Sequence, residues 1–348
     1  MNHFVGLDVS LKKTAICVVD ESGNVIREGE ADTEPEMLIA WLQDTGLPFE
    51  RVGLEAGQCS SWLHKELTLA GLPAICIETR HAKAVMQAQN MKTDRNDARA
   101  IAQMMRTGWF KAVHVKCEES QKIRAIMSSR RWLLDRRIDL DNHIRATLRT
   151  FGLKVGAVTL TNFEQRVREL IVGDGDLQAC VEPLLEARRK LHEQFRVLTN
   201  MVLGLVRKDE ICRRLMTCPG VGPLTALAFK TAIDDPARFR KSRQVGVHLG
   251  LVPRKYASGE IDYNGHITRC GDAFMREHLF EAANSLMLRT KKRCALKAWG
   301  MRIAKRSSMK NARVAVARKL AVILHRMWRD GTEFQWNQHS EDAAPAAA

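Results

Sequence analysis

Short runs of β-branched and other apolar residues open the chain at Phe4–Val9, Thr14–Asp20 and near Val25–Glu28. The turn sequence Glu21-Ser22-Gly23-Asn24 before the third run predicts an antiparallel meander. Glu36–Leu42 then reads as a helix, Arg51–Glu55 as a strand, Ser61–Ala70 as a helix closed by Gly71, and Pro73–Glu78 as another strand. From about Arg80 to Met105, alanine-rich sequence keeps its apolar residues at helical spacing and stops at Gly108. The predicted order, βββαβαβα, is that of an α/β sheet with flanking helices.

Beyond this region the pattern turns to long helices. Leu177, Leu184, Leu191, Leu198 and Leu205 recur every seven residues, with Val181, Phe195 and Val202 near the second seam position and Arg188 interrupting it. That repeat predicts a coiled coil. Gly173-Asp174-Gly175-Asp176 predicts a loop before it, and Pro183 a kink or the true start. The earlier helix, Ile123–Phe151, is a candidate partner, so the arm reads as structural or as a dimerisation device. Farther on, Pro219-Gly-Val-Gly-Pro223 lies between two helical stretches, as in a helix-hairpin-helix. Gly220 and Gly222 would there let backbone N–H groups approach a phosphate with no Cβ in the way. The expected organisation is an α/β domain over 1–112, a helical coiled-coil arm over 113–210, a mainly α C-terminal domain over 211–338, and a disordered tail over 339–348.

Charge divides the chain unevenly. The 348 residues carry +15 in total, but residues 1–110 sum to −4 and the remainder to +19. From Ala282 to Arg329 there is no acidic residue, while Lys291, Lys292, Arg293, Lys305, Arg306 and others supply positive charge. A merely solvated helical surface would mix signs, so this stretch predicts a phosphate-binding surface for DNA and structured RNA. No apolar run is long enough to span a bilayer and no basic-then-apolar leader opens the sequence, so a cytoplasmic protein is expected. Nine cysteines without a Cys-x-x-Cys pair read as small buried thiols in preference to zinc ligands or disulfides.

Four carboxylates stand out against this background. Asp8 lies between Leu7 and Val9 in an otherwise apolar strand, where a charge is costly without a cation or a hydrogen-bonding partner. Glu55 ends a strand in the same way, and Asp94 and Asp97 stand three apart near a helix start. The element order is that of an RNase H-like sheet, whose first and fourth strands are neighbours and whose last helix crosses their ends. Asp8, Glu55, Asp94 and Asp97 are therefore expected to converge. Four hard oxygen donors suit Mg²⁺ or Mn²⁺, and two such ions ~4 Å apart would clamp both the attacking and the leaving oxygen of a phosphodiester. Lys12, Lys13, Lys92, Arg95 and Arg99 surround the acids in sequence and would help to hold substrate phosphates. Taken singly, Asp94 also reads as a helix N-cap and Asp97 as a first-turn acid.

Gly-Leu-Asp8-Val-Ser, Gly-Leu-Glu55-Ala, Lys-Thr-Asp94-Arg-Asn-Asp97-Ala-Arg, Pro219-Gly-Val-Gly-Pro-Leu-Thr-Ala and Leu249-Gly-Leu-Val-Pro-Arg254-Lys255-Tyr-Ala-Ser258-Gly follow one another across nearly the whole chain. In order and spacing they resemble the DEDD-type transposases of insertion sequences, relatives of the Piv DNA invertase that use a bridge RNA to choose their DNA sites. The resemblance implies a RuvC-like metal domain working with a serine from a C-terminal transposase domain, here Ser258, with Arg254 and Lys255 beside it on nucleic acid. It also implies donor and target DNA, a bridge RNA, and a homodimer or tetramer. Read from the residues alone, Ser258 is a turn residue before Gly259, and Tyr256 and Tyr263, the only tyrosines, are alternative nucleophiles. Two other functions compete: a RuvC-like nuclease that simply hydrolyses a junction, and a non-catalytic nucleic-acid-binding protein.

Overall fold

Strands β1 (His3–Val9), β2 (Lys13–Val19) and β3 (Val25–Asp32) form the expected antiparallel meander. After α1 (Pro35–Gln43), strand β4 (Phe49–Glu55) pairs parallel with β1; after α2 (Ser60–Leu69), β5 (Ala74–Ile77) pairs parallel with β4. The sheet order β3-β2-β1-β4-β5 is that of an RNase H-like domain. Central strands are apolar on both faces because both faces are covered. Val5, Leu7, Ile16, Val18, Val52 and Leu54 pack with Leu38, Leu42, Leu63 and Leu67 of α1 and α2. On the opposite face Phe4, Cys17 and Val19 pack with Ile101, Met104 and Met105.

The structure is a computed structural model describing residues 2–86, 93–292 and 294–336. Lys92, Arg293 and the expected tail over 339–348 lie outside the described residues. The single helix expected from Arg80 to Met105 is instead two, α3 (Thr79–Met86) and α4 (Asp94–Thr107). Periodicity continues across the gap, whereas a new cap at Thr93 starts α4 afresh. Gly6 and Gly53 are register partners where α4 rests on the sheet, and a Cβ on Gly6 would stand 2.1 Å from the Ala98 carbonyl oxygen. Only glycine permits that approach. Arg51, opposite Phe4 near the start of β1, donates to the Met105 carbonyl at 2.7 Å. Helix α4 thus runs against β1, and its first turn lies at the carboxyl ends of β1 and β4.

The chain divides into two compact units, Met1–Lys116 and Cys117–Ala348. In the second, α5 (Glu118–Thr150) and α7 (Gly175–Lys208) are joined through α6 (Phe163–Leu170). They pair antiparallel: Ile144 and Leu148 meet Leu177, Val181 and Leu185 at one end, while Ile123 and Met127 share a core with Val202 and Val206 at the other. The buried seam of α7 is Leu177, Val181, Leu185, Arg188, Val202 and Val206, and the heptad leucines after Leu177 are half-buried at its edge. Asp174 caps α7, accepting from the Leu177 N–H at 2.9 Å, so Pro183 lies within the helix and does not start it.

Helices α8 (Glu210–Leu215), α9 (Pro223–Ile233) and α10 (Arg243–His248), the ribbon β6 (Pro253–Ser258) and β7 (Ile261–Ile267), and helices α11 (Ala273–Arg289), α12 (Ala295–Arg306) and α13 (Met309–Asp330) complete this unit. Ile123 and Val206 of the arm share one core with Phe229, Leu279 and Leu320. Arm and C-terminal region are accordingly a single body. None of the described helices is long and apolar enough to cross a membrane.

Candidate active site and nucleic-acid groove

Side chains alternate along a strand, so Asp8, two residues beyond Gly6, and Glu55, two beyond Gly53, lie on the face that carries α4. Both are half-buried. With Ser10, Gly57, Gln58 and Ser60 they line a cleft of about 340 Å³ at the carboxyl ends of adjacent parallel strands, the end where open α/β sheets hold their ligands. The first turn of α4 brings Asp97, 7% exposed, and the exposed Asp94 to the same end. Thr93, not Asp94, is the N-cap, accepting from the Asn96 N–H at 3.2 Å. Among the described residues no three His, Cys, Asp or Glu side chains form a group that could hold a metal ion, so the expected convergence of Asp8, Glu55, Asp94 and Asp97 into a ready-made cage is not seen. Mg²⁺ rarely needs one, since it is commonly held by one or two carboxylates, waters and substrate phosphates. The Asp8–Glu55 cleft fits such an ion in donor type.

The cations near these acids have partners of their own. Arg95 Nε and Arg99 Nη2 donate to Glu28 Oε2 at 2.7 and 2.8 Å, tying α4 to β3. Hydrogen bonding from Arg99 foremost holds the Glu28 carboxyl down at about 2. Lys13 faces Glu30 at 3.6 Å with both side chains exposed, and Lys12 is exposed in the preceding bend.

The second unit contains a far larger concavity, about 2030 Å³. Arg240, Lys241 and Arg243 line it from the start of α10, Arg254 and Arg269 from the ribbon and the turn after it, and Arg306, Lys310, Arg318, Lys319, Arg326 and Arg329 from α12 and α13. None of its described lining residues is acidic. Fully buried His325 fixes the 240–243 segment against α13. Its Nε2 faces the Pro236 carbonyl at 3.0 Å, which can only accept, so Nε2 carries the hydrogen and the Ser242 hydroxyl donates to Nδ1 at 3.0 Å.

Ser258 ends β6, exposed and opposite Ile261. Tyr256 and Tyr263 are direct cross-strand partners with rings stacked 4.9 Å apart, and both line the groove together with Arg254. By alternation Ser258 lies on the same face of the ribbon, one step nearer the tip. Lys255 lies on the other face and reaches Asp262 at 3.0 Å.

The remaining expected contacts are distributed differently. Lys291 and Lys305 are exposed outside the groove, and Lys292 lies 4.4 Å over the Trp336 ring. Gly220 has φ +86°, and a Cβ there would meet the Ala282 carbonyl at 2.3 Å. That glycine is required by packing on α11, while Gly222 starts α9 with open space around it. Arg240, Lys241, Arg243 and Arg269 are groove residues that the sequence reading does not single out. The dense run Arg238-Phe-Arg-Lys-Ser-Arg243 is the signal that could have found the first three.

Two family profiles cover successive parts of this arrangement. Residues 5–152, which contain all four carboxylates, match a DEDD transposase of the IS110 group, and residues 212–299, which contain the ribbon, match the transposase IS116/IS110/IS902 family. The chain belongs to the DEDD-type IS110/IS116 transposases of insertion sequences. It is 27% identical over 326 residues to the transposase for insertion sequence element IS1111A of Coxiella burnetii, covering 92% of this chain and 88% of that one. It is 28% identical over 334 residues to a probable family 20 transposase of Pseudomonas aeruginosa, covering 92% and 95%. Thermus thermophilus RuvC, solved in complex with a Holliday junction substrate, aligns with 32% of this chain and 100% of its own at 14% identity and a TM-score of 0.26. The fold assignment stands on the strand order.

Proposed function

We propose that the chain cuts and rejoins DNA through a serine ester, with Ser258 as nucleophile and Asp8, Glu55, Asp94 and Asp97 as the carboxylates that hold Mg²⁺ or Mn²⁺. The observation that supports this most is the position of Ser258 on the ribbon face that Arg254 and Tyr256 turn to the basic groove. Ser258 Oγ attacks a DNA phosphorus and the bond to one sugar oxygen breaks. That oxygen leaves as a hydroxyl, taking up the proton that Ser258 lost. The phosphoserine ester keeps the phosphodiester's energy, so the hydroxyl of a second DNA end can attack it, restoring the serine and joining the strands without ATP. Divalent ions, when bound, supply positive charge that acidifies the serine hydroxyl and offsets charge on the phosphoryl oxygens. Arg254 and the groove cations neutralise the neighbouring phosphates. In this reading a bridge RNA selects donor and target DNA, and the working unit is a dimer or tetramer in which the carboxylates of one subunit serve Ser258 of another.

The test is a labelled DNA substrate with Mg²⁺, run on a denaturing gel. The wild-type chain should leave a covalent protein–DNA adduct. Ser258→Ala should leave none, and Asp8→Asn or Glu55→Gln should lower adduct formation at least 100-fold with DNA binding retained. An adduct that persists in Ser258→Ala and disappears in Tyr256→Phe would move the nucleophile, and cleavage without any adduct would make the chain a hydrolytic nuclease.

A further inference from the structure

We propose that the groove of the second unit takes a single DNA strand, with its phosphates on the arginines and lysines of α12 and α13 and an unpaired base on the Tyr256–Tyr263 pair. The assignment to DNA rests on the reading of Ser258 as nucleophile.

Charge alone would accept any polyanion: cations enter from three sides and no described lining residue is acidic. The aromatic face narrows the choice. Tyr256 and Tyr263 are 43% and 56% exposed, and their rings stack on each other at an interplanar angle of 18°. A two-stranded ribbon is marginal by itself, and exposed rings on it are poised for a planar partner. Duplex DNA keeps its base faces covered and offers only edges and phosphates, so it would leave these rings bare. A single strand offers a π-face at every nucleotide, the combination of basic groove and stacking platform used to hold unpaired strands. Ring position is itself built in, because Tyr256 lies over Gly265, where a Cβ would come within 3.0 Å of Cε2.

The cationic wall is also set by the backbone. Arg269 lines the groove with φ +56°, a left-handed conformation uncommon for a non-glycine residue. It is held there by Arg276, whose Nη1 donates to the carbonyls of Cys270 at 2.5 Å, Gly271 at 3.1 Å and Leu249 at 3.2 Å. Backbone strain kept in this way is commonly found at binding sites. Ser258 lies two residues beyond Tyr256 on the same face, about 7 Å along the strand. That is near the reach of one extended nucleotide, so a base seated on the tyrosines brings an adjacent phosphodiester toward the serine. The strand that reaches the nucleophile is the strand to be cut, hence DNA.

The experiment is fluorescence polarisation of the full chain with a labelled 12-nucleotide DNA strand, its blunt duplex and the same sequence as RNA, in EDTA so that no cleavage occurs. Tyr256→Leu/Tyr263→Leu should weaken single-stranded DNA at least tenfold and the duplex less than twofold. Arg306→Ala/Lys310→Ala should lower the slope of log affinity against log salt by about 1.4, roughly 0.7 for each phosphate no longer neutralised. Unchanged single-strand affinity in the tyrosine variant overturns the proposal. So does a duplex bound tenfold tighter than the strand, an RNA that outcompetes DNA with the same tyrosine dependence, or a polyglutamate peptide that displaces DNA at equal charge. Because the binding assay contains no chemistry, its failure overturns the groove assignment alone, whereas an adduct surviving Ser258→Ala overturns the serine reading and leaves the choice of DNA over RNA to the binding comparison.

Discussion

Glu28 projects from β3 between two guanidinium groups of α4, and the pair of arginines expected to hold phosphate is bonded to it instead. The Arg99 and Arg95 hydrogen bonds lower its carboxyl from the usual 4.5 to about 2 against the opposing effect of burial. A carboxylate whose folded value is depressed contributes stability above its unfolded value and loses it as pH falls through the folded one. Glu28 should therefore stabilise the chain above pH 4.5 and cease to do so near pH 2. Partial exposure of both arginines limits the contribution to about 1 kcal/mol. The thermal midpoint of the wild-type chain minus that of Glu28→Gln should be a positive few degrees at neutral pH and shrink toward zero between pH 4.5 and 2. A difference independent of pH would show that the pair does not titrate as described.

At the scale of elements, the arm turns on Arg188, the residue that breaks its leucine repeat. Arg188 is 4% exposed. It donates to Asp141 of α5 at 2.5 Å, to Glu164 of α6 at 3.0 Å and to the Leu160 carbonyl at 3.3 Å, with its guanidinium 4.6 Å over the Phe163 ring. Three helices meet on one side chain, which explains a charge in an apolar seam. Removing it leaves Asp141 partly buried without this cation and Glu164 with Arg168 at 3.9 Å, and such losses cost about 3–5 kcal/mol. Arg188→Met should lower the urea midpoint accordingly, and Asp141→Asn/Glu164→Gln added to it should restore much of the loss. A shift equivalent to less than about 1 kcal/mol would mean that the helices pack without the charge cluster.

For the whole molecule, the carboxylates belong to one compact unit and Ser258 to the other. Subunit mixing asks whether the two act in trans, as proposed. Asp8→Asn and Ser258→Ala chains are each expected to be inactive. If sites form between subunits, a mixed dimer has one site with both defects and one with neither, and the covalent adduct should reappear at up to half the wild-type amount per dimer. Verified mixed dimers that yield no adduct would restrict the reaction to carboxylates and serine of the same chain.

Much of the N-terminal domain is legible along the chain. Strand period, turn residues and one anomalous charge in an apolar strand are local signals, and they predict the meander, the β1–β4 neighbourhood and the end of the sheet where Asp8 and Glu55 lie. Periodicity reports which positions are buried but not what buries them. The leucine repeat therefore points to α7 without revealing that its seam is set by α5 and by Arg188. The break before α4 is hidden because helical spacing carries on through it. Net charge likewise locates the basic part of the chain beyond residue 110, yet the groove draws on residues 240–243, 254, 269 and 306–329, far apart in sequence. Only folding decides which cations share a wall, because that depends on long-range packing such as His325 against Ser242. The sequence by itself determined the residue types available for the chemistry; the tertiary structure decided which of them are held by their own partners, as Arg95 and Arg99 are, and which line a surface that a strand can occupy.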